Sequence, residues 1–254
     1  MRRLTLAVSI IALIVLVLSC GEDDGNGGTE NYIPHKDGST WTYQVTSNLG
    51  PPYQQTQTIN GTRNIQGINC QVIETIITLD PNHITRSFFV DNDTDKQTFY
   101  GFEEEEGGEI TYYSEFPEGI VFLRYPFTVG DEWEIYSAEG IKPTECPFIS
   151  DYFDDDDFDD DGQDDTMDIS IKAKVEAQED VKVTAGDFSN CYRILYSYDI
   201  TLHCTDMGEI DIDYTDTVWV KPYTGTVKWQ FSMELPDPMP DNELVAELID
   251  YSLP

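Results

Sequence analysis

The chain has 254 residues, of which 39% are hydrophobic, and a formal net charge of −35 at pH 7. The hydrophobic residues include 12 Phe, 15 Tyr and 4 Trp, which is enough to build a packed core. The negative charge repels nucleic-acid phosphates and anionic lipid headgroups, so composition argues against a protein that binds either of them by charge. It favours the binding of cations.

The first residues predict an export signal. Arg2 and Arg3 precede an apolar run from Leu4 to Leu18, which is shorter than the ~20 residues that span a bilayer. The Val-Leu-Ser-Cys sequence that ends at Cys20 resembles the lipobox of bacterial lipoproteins. This resemblance implies that residues 1–19 are removed and that Cys20 carries a diacylglycerol and a further acyl chain such as palmitate. The alternative is an ordinary cleaved signal followed by a chance cysteine.

Residues 20–31 predict a lipidated cysteine followed by a flexible acidic tether, because Gly and acids predominate and large apolar residues are absent. Several acyl chains, at ~0.8 kcal/mol per buried methylene, would anchor the protein stably in a membrane. The acids after Cys20 resemble the surface-export signal of Bacteroidetes lipoproteins, and a plain periplasmic spacer is the alternative. We therefore expect an outer-membrane lipoprotein, at the periplasmic face or at the cell surface.

Removal of residues 1–19 leaves 235 residues with a net charge of −37, since the signal carries two arginines and no acids. Residues 32–254 predict one β domain, because short runs alternate apolar and polar residues with the period of a half-buried strand. The expected fold class is all-β: a single curved antiparallel sheet, or a half-barrel or sandwich, with long strands and an acidic loop insertion at about 146–168. Residues 226–233 and 244–251 predict long antiparallel strands, and 242–250 is the only helix candidate.

Three local features carry more specific expectations. The Thr- and Gln-rich segment 54–64 predicts an exposed strand that turns at Asn60-Gly61. The acids at 103–106 predict a solvated loop. Asp216 interrupts the apolar face of the strand 210–220, which predicts a bulge or a frayed edge there.

The chain contains an internal echo. Pro34-x3-Gly38-x2-Trp41 recurs as Pro126-x3-Gly130-x2-Trp133, each time leading into a predicted strand. A glycine-dependent turn followed by an inward Trp would explain both copies. Either the domain has two halves of similar build, or the same common strand-entry turn occurs twice.

Three segments, at 32–43, 183–194 and 219–228, carry a family resemblance. They contain Pro-Gly-Trp, Ala-Gly-x-Phe and Trp-x2-Pro-x2-Gly-x-Val-Lys patterns. Together they resemble an uncharacterised group of bacterial exported β proteins that is similar in outline to curved-sheet lipoprotein carriers. The resemblance implies a fold more than an activity. Lys221 and Tyr223-Thr224 depart from the usual form of the third motif.

Four cysteines remain beyond Cys20, and an even number in an exported chain predicts two disulfides. If residues 191–203 form one extended strand, Cys191 and Cys204 lie ~40 Å apart, far beyond the ~7 Å that a disulfide allows. This excludes that pair and its complement, Cys70 with Cys146. Of the two remaining connectivities we prefer Cys146–Cys204 with Cys70–Cys191; free buried thiols at Cys70 and Cys191 are the alternative.

The acidic stretch 151–168 predicts a metal site. Residues 157–168 match the spacing of a twelve-residue calcium loop, with a glycine, Gly162, at the position of its sharp turn. Asp rather than Glu at the twelfth position resembles thrombospondin type 3 and dockerin loops. A structural calcium ion is expected, and a disordered acidic insertion is the alternative. The predicted ligands are Asp157, Asp159, Asp161, the carbonyl of Gln163, Asp165 and Asp168.

Signals for catalysis are absent: the three histidines have no metal-ligand spacing, and there is no nucleophile elbow or P-loop. The leading hypothesis is a non-enzymatic, lipid-anchored binding or structural protein whose ligand is a protein, a glycan or an apolar molecule. One alternative is a carrier of a lipid or other apolar ligand in a concave sheet, lined by the Tyr and Ile face of residues 192–202. A glycan hydrolase is the second alternative.

Overall fold

The described part of the chain forms an antiparallel sheet of twelve strands, which confirms the all-β prediction. The computed structural model describes residues 36–92, 95–146, 148, 156–157, 161–233 and 241–254. The predicted signal, Cys20, the tether and Asp159 lie outside these residues. The strands are β1 (Thr40–Ser47), β2 (Tyr53–Ile65), β3 (Ile68–Ile77), β4 (Asp80–Asn92), β5 (Lys96–Glu106), β6 (Glu109–Arg124), β7 (Glu132–Ile141), β8 (Thr166–Val183), β9 (Gly186–Cys204), β10 (Gly208–Lys221), β11 (Gly225–Met233) and β12 (Asn242–Ser252).

Helical structure in these ranges amounts to one 3₁₀ turn at Pro143–Glu145. No described segment forms a helix that is long and apolar enough to cross a membrane. The strand predicted at 244–251 is confirmed as β12, in which buried side chains alternate with more exposed ones, so the helix candidate at 242–250 is wrong.

Two consecutive meanders of six strands make up the sheet, β1–β6 and β7–β12, and they are joined where β1 pairs with β12. The edge strands are β6 and β7, which follow one another in the chain. The sheet curves until it is nearly closed. Phe122 on β6 stacks on Tyr196 on β9 with ring centroids 5.3 Å apart, although eight strands lie between β6 and β9 in the sheet.

Because every neighbouring pair is antiparallel, successive connections alternate between the two ends of the sheet. We call the end where β1 begins and β12 ends the entry end, and the opposite end the far end. The far end holds the β1–β2, β3–β4, β5–β6, β7–β8, β9–β10 and β11–β12 connections, and the β7–β8 connection contains the acidic stretch.

The core fills the inner face of the sheet, and aromatic side chains predominate in it. Trp41 and Tyr43 on β1 are fully buried. The Trp41 indole N–H donates to the Thr224 carbonyl at 2.9 Å, and the Tyr43 hydroxyl donates to the Thr226 carbonyl at 3.0 Å. Both bonds reach past β12 to the β10–β11 hairpin, so they hold the two meanders together on the inside.

The echoed turns have the same backbone hydrogen bonds. Gly38, with φ +85°, donates to the Ile59 carbonyl on β2, and Gly130, with φ +100°, donates to the Val175 carbonyl on β8. The amides of Ile59 and Val175 donate back to the residue after each glycine. Each turn therefore opens a meander and attaches it to its own second strand, which favours two halves of similar build.

The prediction of a solvated loop at 103–106 is wrong, because these acids complete β5. Glu103 is only 2% exposed and accepts hydrogen bonds from Arg63 and from Arg86, the latter at 3.1 Å. Arg86 also binds Glu74 and Glu105, at 2.9 and 2.8 Å. Arg63 lies on β2 and Arg86 lies on β4. Basic partners on other strands therefore stabilise the acids of β5 in the ladder that β5 forms with β4.

Segment 54–64 is a strand as predicted, but it neither turns at Asn60-Gly61 nor is exposed throughout. The ladder between β2 and β3 has a bulge between Ile59 and Thr62, and Gly61 adopts φ +73° there. Gln55 and Gln57 are fully buried on the inner face.

The disulfide prediction is not borne out, since no disulfide joins any of the four described cysteines. For Cys70–Cys191 the reason is clear: Cys70 belongs to a small cluster with Ile65, Val72 and Phe88 on the outer face, whereas Cys191 lies in the main core. Burial raises the pKa of both thiols to about 11, so neither is a reactive thiolate at neutral pH. Cys146 and Cys204 share the main core, yet no disulfide joins them.

The indole bond of Trp41 can be tested against its counterpart in the second meander. We expect Trp41→Phe to lower the free energy of unfolding by about 1 kcal/mol more than Trp133→Phe, because only the first loses a buried hydrogen bond. The Trp133 ring is also buried, and its N–H has no partner among the described residues. Urea unfolding of both variants measures the difference, and equal losses would contradict the role given to Trp41.

Candidate functional site

The predicted calcium loop lies at the far end, in the connection between β7 and β8, where residues 156–157 and 161 onward are described. The carboxylate of Asp157 accepts the backbone N–H of Asp161 at 2.9 Å and that of Gly162 at 2.7 Å. Gly162 has φ +88°, a conformation that glycine adopts without strain. Asp161 in turn accepts the N–H of Gln163 at 2.8 Å. Three of the predicted ligands, Asp157, Asp161 and Gln163, are thus brought together by one tight turn.

The other two described ligands accept hydrogen bonds from neighbouring strands and from the β9–β10 turn. Asp165 is buried and accepts the backbone N–H of Thr205 at 3.1 Å. Asp168 accepts the N–H of Gly140 at 2.7 Å and contacts the imidazole of His203 at 3.0 Å. The Gly140 bond, followed by that of His203, holds the pKa of Asp168 below its ordinary value.

A lysine provides the acidic segment with a cation from the chain itself. The ammonium of Lys142 lies 2.6 Å from Asp164 and 3.0 Å from Asp156. The hydrogen bonds that Lys142 donates to Asp164 and Asp156 raise its pKa, so it stays charged throughout the physiological range. The Thr144 hydroxyl donates to Asp156, which lowers the pKa of that carboxyl.

Within the described residues no group of three or more His, Cys, Asp and Glu side chains is arranged to hold a metal ion. Asp159, a predicted ligand, lies outside them. The turn around Asp157 brings the carboxylates of Asp157 and Asp161 close together, and carboxylate oxygens are ligands that calcium takes. The calcium site therefore stays a prediction.

The Tyr and Ile face of β9, expected to line a carrier's concave surface, is packed core. Tyr196 lies against Phe122, and Tyr198 stacks on Tyr214 with ring centroids 4.1 Å apart. The side chains of Ile194, Ile200 and Leu202 are buried with them.

Asp216 is the residue in this core that sequence reasoning misplaced. It is fully buried in β10, a strand paired on both sides, opposite Tyr196 on β9 and Phe231 on β11. The predicted bulge or frayed edge is wrong here, since the bulge in this ladder lies between Trp219 and Val220. The sequence signal was present: one acid interrupting an otherwise apolar face is typical of a bulge but also of a buried polar site.

The carboxyl of Asp216 is only half satisfied. The Trp229 indole N–H donates to Oδ1 at 3.1 Å, while Oδ2 has no hydrogen-bond partner among the described residues. The hydroxyl of Tyr196 also lacks one. Burial raises the pKa of Asp216 well above its ordinary value, although the hydrogen bond from Trp229 opposes the shift. Burial therefore favours the neutral form of the carboxyl and costs stability.

Large apolar side chains are exposed on the turns of the far end. Leu79 is 57% exposed between β3 and β4, Ile110 is 56% exposed just after the β5–β6 turn, and Met207 is 55% exposed between β9 and β10. Leu49, between β1 and β2, is 48% exposed. The sequence signal for these positions is a large apolar residue within or beside a turn of Gly, Asp, Asn and Pro, where nothing local can bury it.

Neither a protein-family model nor a curated protein matches the chain. Two solved structures are similar to it, each covering 89% of this chain and 100% of its own at 13% identity. One is described as a candidate lipoprotein from Parabacteroides distasonis, with a TM-score of 0.40. The other is described as a candidate exported protein with a YmcC-like fold from Bacteroides fragilis, with a TM-score of 0.34. At these scores the likeness carries no argument about this chain.

The buried carboxyl predicts a specific pH dependence. A pKa raised in the folded state means that the contribution of Asp216 to stability is complete below the unfolded pKa of ~3.9 and is lost as pH rises toward the folded pKa. Asp216→Asn has a similar size and no ionisation. We expect the variant to gain stability over wild type as pH rises from 4 to 8, by up to ~1.4 kcal/mol per pH unit.

Urea unfolding across this pH range measures the effect. Asp213→Asn is the control, because Asp213 is an exposed acid on the same strand. A constant difference between wild type and Asp216→Asn at all pH values would show that the carboxyl is not buried and neutral.

Proposed function

We propose that the protein is a non-enzymatic, lipid-anchored binding or structural protein of the bacterial outer membrane, and that its far end meets the partner. Acyl chains on Cys20 would hold it, as the lipobox resemblance implies. The exposed apolar side chains on the far-end turns are the observation that carries the proposal.

The position of the entry end supports this arrangement. Lys36 and Thr40 lie where the described chain begins, at the entry end, and β12 also finishes there. A tether that arrives at this end leaves the opposite end of the sheet away from the anchor. Leu49, Leu79, Ile110 and Met207 all lie at that opposite end.

The chemistry of the far end indicates the kind of surface it would bind. Each of three exposed apolar residues has an acid beside it, in Leu79-Asp80, Glu109-Ile110 and Asp206-Met207. Apolar side chains give contact area at an interface, whereas acids repel anionic partners and attract cationic ones. A protein surface with apolar and basic residues fits this end.

Site-specific photo-crosslinking in cells tests the orientation. A photoreactive amino acid at position 79 or 110 should give adducts with another protein, and one at Val129 should not. Val129 is the matched control, because it is 52% exposed but lies between β6 and β7 at the entry end. Adducts at Val129 as strong as those at the far end, or none at any position, would refute the proposal.

In the same cells Cys20→Ala should move the protein from the membrane to the soluble fraction.

We further propose that calcium stabilises the far end, held by Asp157, Asp161 and the Gln163 carbonyl, with Asp159, Asp165 and Asp168 as the remaining predicted ligands. The ion would supply the positive charge that so many neighbouring carboxylates need in order to approach one another. Lys142 offsets part of this repulsion from within the chain.

Thermal unfolding with calcium and with EDTA tests the ion. Saturating calcium, at about a hundred times its Kd, should stabilise the protein by about 2.7 kcal/mol. Asp157→Asn should abolish this gain, because it removes a carboxylate from the centre of the turn. Asp164→Asn is the control, since Asp164 is an acid of the same segment but not a predicted ligand. Equal calcium responses in the two variants would exclude this site.

A further inference from the structure

The two edge strands of the sheet approach each other without a shared ladder. β6 pairs only with β5 and β7 only with β8, and in the described part of the chain no ladder joins β6 to β7. We call the line along which β6 and β7 approach each other the seam. Every other pair of neighbouring strands is hydrogen bonded. The seam therefore depends on side-chain contacts, and it is where the sheet opens most easily.

Toward the entry end, the seam is held by the chain itself and by core packing. Residues 125–131 connect β6 directly to β7. Phe127 in this connection lies against Tyr192 on β9, with ring centroids 5.2 Å apart. Phe122 on β6 stacks on Tyr196 of the same strand. An opening of the seam would therefore begin at the far end and hinge on residues 125–131.

Toward the far end, one aromatic side chain bridges the seam. Phe148, from the connection between β7 and β8, stacks on Phe116 of β6 with ring centroids 5.6 Å apart. The same ring meets Tyr136 of β7 edge-on at 5.1 Å. Phe148 is only 7% exposed and belongs to the main core. The connection leaves β7 at Ile141, so it must turn back along the seam to make these contacts, and it covers an edge that would otherwise be open.

The residues that lead to Phe148 are also buried or bonded. Pro143 begins the 3₁₀ turn and is buried, and Cys146 is fully buried in the main core. The Cys146 N–H donates to the Pro143 carbonyl at 3.2 Å. We call residues 142–146 together with Phe148 the latch. Because the Phe148 ring and the Cys146 thiol both enter the core, release of the latch would expose both.

The latch shares an anchor with the predicted calcium turn. The backbone N–H and the hydroxyl of Thr144 donate to Asp156 at 3.1 and 2.5 Å, and the Lys142 ammonium lies 3.0 Å from the same carboxylate. Asp156 directly precedes Asp157, whose carboxylate organises that turn. An ion that holds Asp157 in place would therefore also hold the acid that binds the latch.

We propose that the latch is a regulated closure of the seam and that calcium fastens it. Release of the latch uncovers Phe116 and Tyr136 and so adds aromatic surface to the far end. An ion that binds only the latched form shifts the equilibrium toward that form. The fastening rests on the calcium site proposed above, whereas the latch itself does not.

Thiol labelling of the wild-type chain in EDTA tests the latch. N-ethylmaleimide reacts only with a thiol that has become exposed, and peptide mass spectrometry gives the rate at each cysteine. Global unfolding exposes Cys70 and Cys146 alike, whereas release of the latch exposes Cys146 alone. Both thiols are fully buried in the closed structure. We therefore expect Cys146 to react about tenfold or more faster than Cys70.

Phe148→Ala should raise the labelling rate at Cys146 by about tenfold or more without a matching rise at Cys70, because the latch loses a buried ring. Phe188→Ala is the matched control. Phe188 is 9% exposed and lies against Tyr251 at the entry end, with ring centroids 6.1 Å apart. This variant should leave the ratio of the two rates as it is in wild type.

A second variant keeps the core intact. Should Phe148→Ala fail to fold, Thr144→Val takes its place, because Thr144 is exposed and the change removes only its hydroxyl bond to Asp156. It should raise the rate at Cys146 roughly fivefold. Equal rates at Cys70 and Cys146 in wild type, or a ratio that the latch variant leaves unchanged, would overturn the latch.

Calcium tests the fastening. Saturating calcium, at about a hundred times its Kd, should slow the labelling of Cys146 by up to about a hundredfold, and Asp157→Asn should abolish the slowing. If calcium raises thermal stability but leaves the rate at Cys146 unchanged, the ion does not fasten the latch. If calcium changes neither, the proposed ion site fails together with the fastening, and the labelling in EDTA still decides the latch.

Discussion

The ladder between β1 and β12 joins residues from opposite ends of the chain, with Thr40 paired to Ser252 and Ser47 to Leu244. Every other strand pair connects neighbours in the sequence, so this ladder alone turns two meanders into one sheet. Without it, β1 and β12 would each present an unpaired edge, which is a template for association with other chains. The bonds of Trp41 and Tyr43 to the β10–β11 hairpin support the same junction from within the core.

The excess of acids over bases creates repulsion among carboxylates on the outer surface of the sheet. The chain has 49 acids and only 14 Lys and Arg, so each cation must serve several carboxylates. Arg86 contacts Glu74, Glu103 and Glu105 across three strands. Arg63 binds Glu103 as well, and its guanidinium lies 5.0 Å from the centre of the Phe88 ring. Such shared partners let acids occupy strand positions where mutual repulsion would otherwise separate them.

The parts of the fold that sequence predicted are those set by local patterns. Alternation of apolar and polar residues predicted β1 and β8–β12. The glycine-dependent turns before Trp41 and Trp133 indicated the start of each meander. The errors arose where distant partners decide. Arg63 and Arg86 bind the acids at 103–106 and so stabilise them within β5. The Trp229 indole donates a hydrogen bond to the buried Asp216. The curvature of the sheet buries Gln55 and Gln57. No window of local sequence contains those partners.

Of the predicted calcium ligands, Asp157, Asp161 and Gln163 form one turn, whereas Asp165 and Asp168 bond to adjacent strands and hairpins.

The near-equivalence of the two meanders has a consequence for how molecules of this chain can associate. A single connection, residues 125–131, links the two meanders in the chain. Within the sheet the meanders pair through one strand each, β1 and β12. If that connection extends, β1 of one molecule can pair with β12 of a second, and the exchange is reciprocal. The result is a domain-swapped dimer that keeps every native contact outside the hinge. High protein concentration during refolding would favour it.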